Sequence, residues 1–599
     1  MNRIWKFKDC GDKAKVEELA GLLCMPKENP TDKDVRCYRI IANLLVQRGI
    51  DTYEKAREFF RPDLNKLHDP FLMKDMEKAV ERIMIAVQAK EKIMVYGDYD
   101  VDGASAVALV YSYLSSFYDD LVYYIPDRTE EGYGVSFKGV DEADAEGVTL
   151  IICLDCGIKA TEEIAWANDK GIDFIVCDHH LPGKELPKAY AILDPKLSDC
   201  YYPYDELSAC GIGFKLIQAL QKKRERPADE LRQYLDLVVI SIAADMVPLT
   251  GENRILAYHG LKVINSKPRV GLEKLLAYAN ILHDEERNSP YYFNKKLTIQ
   301  DLSFLVGPRI NAAGRMDSIK TEDAVALLKT RKSEKAENLA EKLNKSNDER
   351  KKKDQEDTRA AIEEIESKGL HKKKCIVLYN ENWYQGVAAI VASRVAEKYS
   401  RPTIIFTKTN NNIITGSARS VKNVDVYSAI EKCRHLLEHY GGHKLATGLS
   451  LDVSHFQEFQ QMFEQEIEQN VTIEDVTPEM DIDMQIALGD VSDKLLELLK
   501  LFAPFGPENT EPVFYSSEIY DANKVRKVGK NHLSFSAIPI NENILPISCI
   551  GFSLADYYDL LHFGRKIDMT YTIEENSWQG RRELQLNVKD IRESDYGDY

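Results

Sequence analysis

No run in the 599-residue chain approaches the ~18 uninterrupted apolar residues of a membrane-spanning helix, and the amino terminus, MNRIWKFKDCGDK, lacks the apolar core of a signal peptide. A cytoplasmic chain with no membrane partner is expected. Excess positive charge is also missing: the formal net charge is -18, so binding of nucleic acid by bulk attraction is excluded, and any phosphate-rich partner must be met by local basic clusters. Cysteine is scarce and odd in number, 11 scattered residues, which argues against a disulfide framework and for reduced thiols. Cys153 and Cys156 do form a C-x-x-C, but no second pair or His-x-x-His follows at zinc-finger spacing. Internal repeats of fixed short period and low-complexity tails are likewise missing.

What is present is an ordinary globular composition, 44% hydrophobic and 29% charged, long enough for about four domains. Residues 1–90 read as a helical cap, with CYRIIANLLVQRGI and MEKAVERIMIAVQAK separated by Pro62 and Pro70. Between 91 and 330, the β-rich runs KIMVYG, DLVYYIP, TLIICLD, DFIVCD and YAILDP alternate with helical stretches and are followed by a helical insertion. That alternation predicts an α/β domain with a doubly wound parallel sheet. Residues 331–374 interleave both charge signs, as in a solvated linker helix. A second α/β domain is expected over 375–470. The alternating runs HLSFSA, IDMTYTI and RELQLNV within 471–599 predict a small β-barrel. Tyr515, Phe535 and Tyr571 in that barrel read either as core or as stacking platforms.

Asp98, Asp100 and Asp102 stand on alternate positions directly after a buried strand and before a helix. Two more strands end in acid, at Asp155 and at Asp178-His179-His180. Ligands of an open α/β sheet bind at that edge, outside the carboxyl ends of the strands. So many carboxylates on one rim repel by several kcal/mol unless cations intervene, and oxygen donors with an occasional His suit Mn²⁺ or Mg²⁺. Asp102 could alternatively be only a helix N-cap.

These motifs lead to a family. D-x-D-x-D-G at Asp98–Gly103, LDCG around Asp155, DHH at 178–180 and Asp245 in AADMVPL resemble the DHH phosphoesterase superfamily. IPDRTEEGYG (125–134), VGPRINAAGRMD (306–317), VASR (391–394), SARS (417–420), GGH (441–443) and APFGPENTEPVF (503–514) follow in the order seen in RecJ-type single-strand-specific exonucleases. The resemblance implies a DHH catalytic domain, a DHH-associated substrate-binding domain joined to it by the long helix, and a carboxy-terminal OB-like nucleic-acid-binding domain. It implies a two-metal site, one Mn²⁺ or Mg²⁺ ion on Asp98, Asp100 and Asp155 and a second on Asp102, Asp155, His179 and Asp245. His180 would face the substrate phosphate. Arg128, Arg309, Asn311, Arg315, Ser417, Arg419, Gly441, Gly442 and His443 would contact the DNA.

The implied activity is 5′-to-3′ degradation of single-stranded DNA to nucleoside 5′-monophosphates, in repair and recombination. The expected protein is a monomer, with a single-strand-binding protein and a helicase as candidate partners. The alternatives are a nanoRNase or cyclic-dinucleotide phosphodiesterase of the same superfamily, or a non-catalytic replication scaffold. The sequence departs from the family pattern at Tyr384, where a His is common, at Thr447 after the GGH, and at Glu508 and Thr510 in the PFG turn.

Overall fold

The computed structural model describes residues 3–25, 30–128, 130–284, 290–316, 318–410, 412–522, 524–540, 544–578 and 581–594; Thr129 and Asp317 of the quoted motifs lie outside them. The chain forms two compact units. One comprises His68–Val247 and Gly251–Pro478; the other comprises Arg3–Leu67, Pro248–Thr250 and Glu479–Tyr599. Among the described residues no helix is long and apolar enough to cross a membrane.

In the first unit, β1 (Lys92–Gly97), β2 (Leu121–Tyr124), β3 (Val148–Leu154), β4 (Asp173–Cys177) and β5 (Ala191–Leu193) form an all-parallel sheet in the order β2-β1-β3-β4-β5. Successive apolar residues such as Ile93–Tyr96 and Leu150–Leu154 are buried on both faces, the state that parallel strands covered by helices require. This is the doubly wound sheet the sequence predicts. Its order reverses between β1 and β3, and ligands of such sheets sit outside the strand ends at that point. Helix α1 (Val101–Leu114) starts there. A Cβ on Gly103 would lie 2.5 Å from the Asp98 carbonyl oxygen, so only glycine lets the first turn of α1 close onto the end of β1.

Helices α2 (Ala209–Lys223) and α3 (Leu235–Asp245) pack beside α1, and the 35-residue α4 (Ser333–Ser367) leads to the second lobe. The charge-rich sequence of α4 suggests full solvation, but Leu339, Leu343, Arg350, Asp354, Ala361 and Ile365 are buried. Their spacing makes one buried stripe along an otherwise charged helix. In the second lobe, β6 (Ile376–Tyr379), β7 (Thr403–Asn410), β8 (Ile413–Arg419), β9 (His439–His443) and β10 (Ala446–Asp452) form a sheet in the order β9-β10-β8-β7-β6. Only β6 and β7 run parallel. Ala361 and Ile365 of α4 pack with α5 (Ala388–Tyr399) against this sheet.

In the second unit, β11 (Phe514–Asp521), β12 (His532–Pro539), β13 (Ile547–Gly551), β14 (Ile567–Trp578) and β15 (Arg581–Glu593) pair in the order β11-β14-β15-β13-β12. Pairing of β11 with β12 closes the five strands into a ring, so that among the described residues each pairs on both sides. Phe514, Phe535 and Tyr571 fill the interior, together with Ile40, Ile41 and Leu44 from the amino-terminal helix Asp32–Gln47. Phe535 and Tyr571 are therefore core residues. Removing Phe514, which is fully buried, should cost about 3–5 kcal/mol. Because the core is shared, Phe514→Ala should accelerate amide exchange in Asp32–Gln47 along with the barrel strands. Unchanged protection of that helix would contradict the shared core.

Candidate metal centre and phosphate-facing cleft

The carboxylates are held by the elements around the sheet edge. Asp98 follows β1. Asp100 is the N-cap of α1, its carboxylate accepting from Gly103 N at 3.1 Å, so the capping duty considered for Asp102 falls to Asp100. Asp102 sits in the first turn of α1 and accepts from Ala209 N and Cys210 N, both at 2.8 Å, and from Ser241 Oγ at 2.7 Å. The positive amino-terminal end of α2 thus fixes this carboxylate. Asp155 follows β3 with a left-handed backbone, φ 64°, a conformation that Asp tolerates better than most residues. His179 Nε2 lies 3.3 Å from Asp155 Oδ1, 3.8 Å from Asp245 Oδ2 and 4.0 Å from Asp102 Oδ2. Asp245, the last residue of α3, completes the rim.

Two groups of potential ligands result, Asp98-Asp100-Asp155 and Asp102-His179-Asp245, with Asp155 also grouped with His179 and His180. Burial, followed by the charge of Asp100, pushes the Asp98 carboxyl up to about 8. Partial desolvation, then the charges of Asp102 and Asp100, push Asp245, whose side chain keeps 30% of its surface exposed, up to about 8. Asp100 and Asp155 are raised as well, by burial first and then by Asp102. Asp155 Oδ1 is buried and, among the described residues, accepts no hydrogen bond. An orphaned carboxylate oxygen among repelling carboxylates, next to an imidazole kept neutral chiefly by burial, fits a pair of hard divalent cations.

His180 is oriented by Asp178, whose Oδ1 lies 2.7 Å from His180 Nδ1 and accepts from His179 N at 2.8 Å. Burial opposes ionisation of both partners. It is outweighed by their hydrogen bond and mutual charge, which lower Asp178 and raise His180. Tyr133 adds a hydroxyl that donates to the Asp155 carbonyl at 3.0 Å and stands 3.2 Å from His180 Nε2.

Positive charge gathers nearby. The Arg128 guanidinium stacks 5.3 Å from the Tyr99 ring centroid. Arg419, at the end of β8, donates to Ser417 Oγ at 2.9 Å and to Ala418 O at 2.7 Å. Arg315 lies where the lobes touch: a Cβ on Gly386 would come within 2.1 Å of the Arg315 carbonyl oxygen. Burial, and then Arg128, Arg350 and Arg419, lower Arg315 to about 10. Guanidinium groups assembled against their own repulsion favour an anion among them, and phosphate oxygens match their geometry. Asn311, Arg315 and Arg350 line a cavity of about 160 Å³. The β9–β10 hairpin aligns Gly441 with Gly448, Gly442 with Thr447 and His443 with Ala446. Burial, and then the positive charges of Lys159, His180 and Lys196, push His443 down.

Arg309 does not join this group. It is buried, and its three nitrogens donate to Asn344 Oδ1, Leu305 O and Tyr278 O. Asn311 Oδ1 accepts from Val101 N at 3.1 Å and so fastens the start of α1. The departures are accommodated. Thr447 Oγ1 donates to His443 O within the hairpin, Tyr384 N donates to Asp357 Oδ2 at 2.9 Å, and Glu508 takes a φ of 59° where glycine is commoner. Thr510 O accepts from Arg48 Nη2 at 2.9 Å. Tyr133 and Arg350 are not among the expected site residues, and Asp178, expected only as a rim acid, orients His180. Asp178 and Tyr133 lie inside quoted motifs, whereas Arg350 is hidden in the charged run of α4.

The raised carboxyls give a pH dependence. Folded values of about 8 for Asp98 and Asp245, against about 3.9 unfolded, mean that the folded protein binds these protons more tightly. Their contribution to stability is full below pH ~4 and is lost as the pH rises through ~8. The Tm of metal-free protein should therefore fall between pH ~5 and ~8.5, and Mn²⁺ should raise Tm by at least about twofold more at the higher pH. Equal Mn²⁺ shifts at both values would contradict the assignment.

The sequence matches three family models, "DHH family, N-terminal domain" over residues 92–242, "DHHA1 domain" over 372–469 and "RecJ OB domain" over 482–590. It is 34% identical over 559 residues to the single-stranded-DNA-specific exonuclease RecJ of Bacillus subtilis (strain 168), across 93% of this chain and 68% of that protein. It is 33% identical over 571 residues to the corresponding RecJ of Salmonella typhimurium (strain LT2), across 92% of this chain and 95% of that one. The crystal structure of RecJ from Thermus thermophilus in complex with Mn²⁺ has the same fold, with a TM-score of 0.81 at 24% identity over 99% of this chain and 80% of that one. The same protein in complex with Mg²⁺ gives a TM-score of 0.75 at 22% identity over 99% and 79%. With these domains in this order, and identities of 33–34% across nearly its whole length, the chain belongs to the RecJ family of single-stranded-DNA-specific exonucleases.

Proposed function

We propose that this chain is a two-metal exonuclease that degrades single-stranded DNA from the 5′ end to nucleoside 5′-monophosphates, in repair and recombination, in the cytoplasm. The observation that carries this reading is the pairing of two potential ligand groups on one sheet edge with an arginine cluster in the same unit. Asp98, Asp100 and Asp155 would hold one Mn²⁺ or Mg²⁺ and Asp102, Asp155, His179 and Asp245 the other. Bound there, the cations would lower the pKa of water from about 15.7 towards neutrality and neutralise charge on the phosphate.

The remaining work falls to the protein. The Asp178 carboxylate favours the protonated form of His180 and fixes its ring, which suits donation to a phosphate oxygen. Arg128, Arg315, Ser417 and Arg419 receive a terminal phosphate, with Arg350 behind them. Gly441 and Gly442 let a backbone phosphate approach closely beside His443. Arg309 and Asn311 act as positioning residues. Residues 91–330 serve as the catalytic domain, 375–470 as the substrate-binding domain and 471–599 as the OB-like domain. The complete ligand set argues against a non-catalytic scaffold, and the barrel unit argues against a hydrolase restricted to dinucleotides. A monomer that meets a single-strand-binding protein and a helicase is the corresponding cellular setting.

With Phe535 and Tyr571 in the core, stacking on the barrel falls to other rings. Phe552 and Phe563 are 56% and 72% exposed. They adjoin His532 and His562, and Lys527 lies 5.1 Å from the centroid of Tyr558. Two exposed rings, with the Lys527 ammonium over the half-buried Tyr558, suit single-stranded nucleic acid.

Digestion of end-labelled single strands tests the reading. Mononucleotide should leave a 5′-labelled strand first, EDTA should stop release, and Asp155→Ala should retain less than about a tenth of the activity in saturating Mn²⁺ while keeping its fold. Release from the 3′ end, or greater residual activity, would sink the assignment. Stacking is probed by point variants, because deleting the barrel would strip the core from Asp32–Gln47. Phe552→Ala with Phe563→Ala should raise the apparent KM for a long oligonucleotide at least about tenfold and leave a tetramer nearly unaffected. Equal changes on both lengths would remove these rings from the DNA path.

A further inference from the structure

A second concentration of positive charge lies at the opposite end of α1 from the carboxylates, about 20 Å away along its 14 residues. Here a cavity of about 490 Å³ is lined by Tyr111, Ser112, Ser115, Lys329, Arg331 and Lys335 among others, with no carboxylate in its wall. Such a wall is unusual in a chain of net charge -18. The Lys329 ammonium lies 3.9 Å from the centroid of the Tyr111 ring and 4.3 Å from that of Tyr123, so aromatic faces rather than an acid hold it. Burial, and then the charge of Lys335, push Lys329 down to about 8.

Two further features point the same way. The 35-residue α4 begins at Ser333, between Arg331 and Lys335, and no side chain caps its amino terminus. Its first N–H groups and the positive end of its dipole therefore adjoin the cavity. Thr330, also in the wall, accepts from Lys332 N through Oγ1, leaving its O–H to donate. The cavity wall thus offers cations and hydroxyl donors and no carboxylate, with Glu334 outside it in the first turn of α4.

We propose that this cavity binds a compact phosphate-bearing anion, between inorganic phosphate and a nucleoside monophosphate in size, separately from the metal centre. The phosphate sits among Lys329, Arg331, Lys335 and the first turn of α4. A nucleoside, where present, occupies the remaining volume beside Ser112 and Ser115. The site does not depend on the exonuclease reading, because none of its residues belongs to the metal rim or the arginine cluster.

Calorimetric titration of the full chain in Mg²⁺, with inorganic phosphate and with a nucleoside 5′-monophosphate as probes, tests the proposal. Arg331 and Lys335 are exposed, so Arg331→Ala/Lys335→Ala should fold. It should bind at least about tenfold more weakly than the parent while hydrolysing single-stranded DNA at an unchanged rate. Lys335→Arg should keep the affinity. Arg419→Ala should also keep it, which separates this site from the phosphate receptor near the metals. Tighter binding of the nucleotide than of phosphate assigns a nucleotide site; equal binding assigns the phosphate group alone. Unchanged affinity in the double variant overturns the proposal, as does binding of only an acidic peptide or an oligonucleotide.

Discussion

The mutual repulsion of Asp98, Asp100, Asp102, Asp155 and Asp245 is the constraint from which the architecture of the first unit follows. Desolvated carboxylates at a few ångströms would spread apart or take up protons, and the raised values of Asp98 and Asp245 record that tendency. What keeps them together is a rigid support. β1 and β3 are buried on both faces, Gly103 lets α1 sit on the end of β1, and the first N–H groups of α2 grip Asp102 from behind. Stability is sacrificed locally so that a small, highly charged ligand finds a prepared site.

The opposite problem governs the cationic side. A chain of net charge -18 that handles a polyanion has to concentrate guanidinium groups and still keep them apart from its many acids. Helix α4 is part of the solution. Its buried stripe places Arg350 beside Arg315 and Asn311, while the buried Asp354 lies 2.7 Å from Arg394 of α5 and 3.6 Å from Arg350. One buried acid thus organises two arginines from different elements. Truncating one partner of such a group costs more than the pair contributes, because the remaining charge is left in low dielectric.

Much of the metal rim was legible because its signal is local. A short apolar run that ends in Asp specifies both a buried strand and the side of the sheet on which the acid emerges. Asp98, Asp155 and His179 each come just after such a run, past the ends of β1, β3 and β4. The arginines were less legible. Arg309 stands in a Gly-Pro context that resembles a surface loop, yet helical packing buries it against three acceptors. Arg350 was obscured because the interleaved charges of α4 hide a stripe that recurs at alternating intervals of four and seven residues. Strand direction in the second lobe carries no periodic signature, so its largely antiparallel sheet could not be separated from a parallel one. The partnership of Arg3–Leu67 with Glu479–Tyr599 joins segments more than 400 residues apart and leaves no mark within either.

Helix α1 connects the two charged regions of the first unit and limits how they can influence each other. All of its residues are buried except Tyr111 and Ser112, which line the remote cavity, and Gly103 is its only glycine. A helix packed on every side moves as a rod if it moves at all, because bending would open voids in a close-packed interior. A shift of its carboxyl end would therefore be carried to Asp102, where three hydrogen bonds from Ala209, Cys210 and Ser241 resist it. The carboxylates are thus insulated from small disturbances at the far end, and only a displacement large enough to move α2 as well would reach the metal rim.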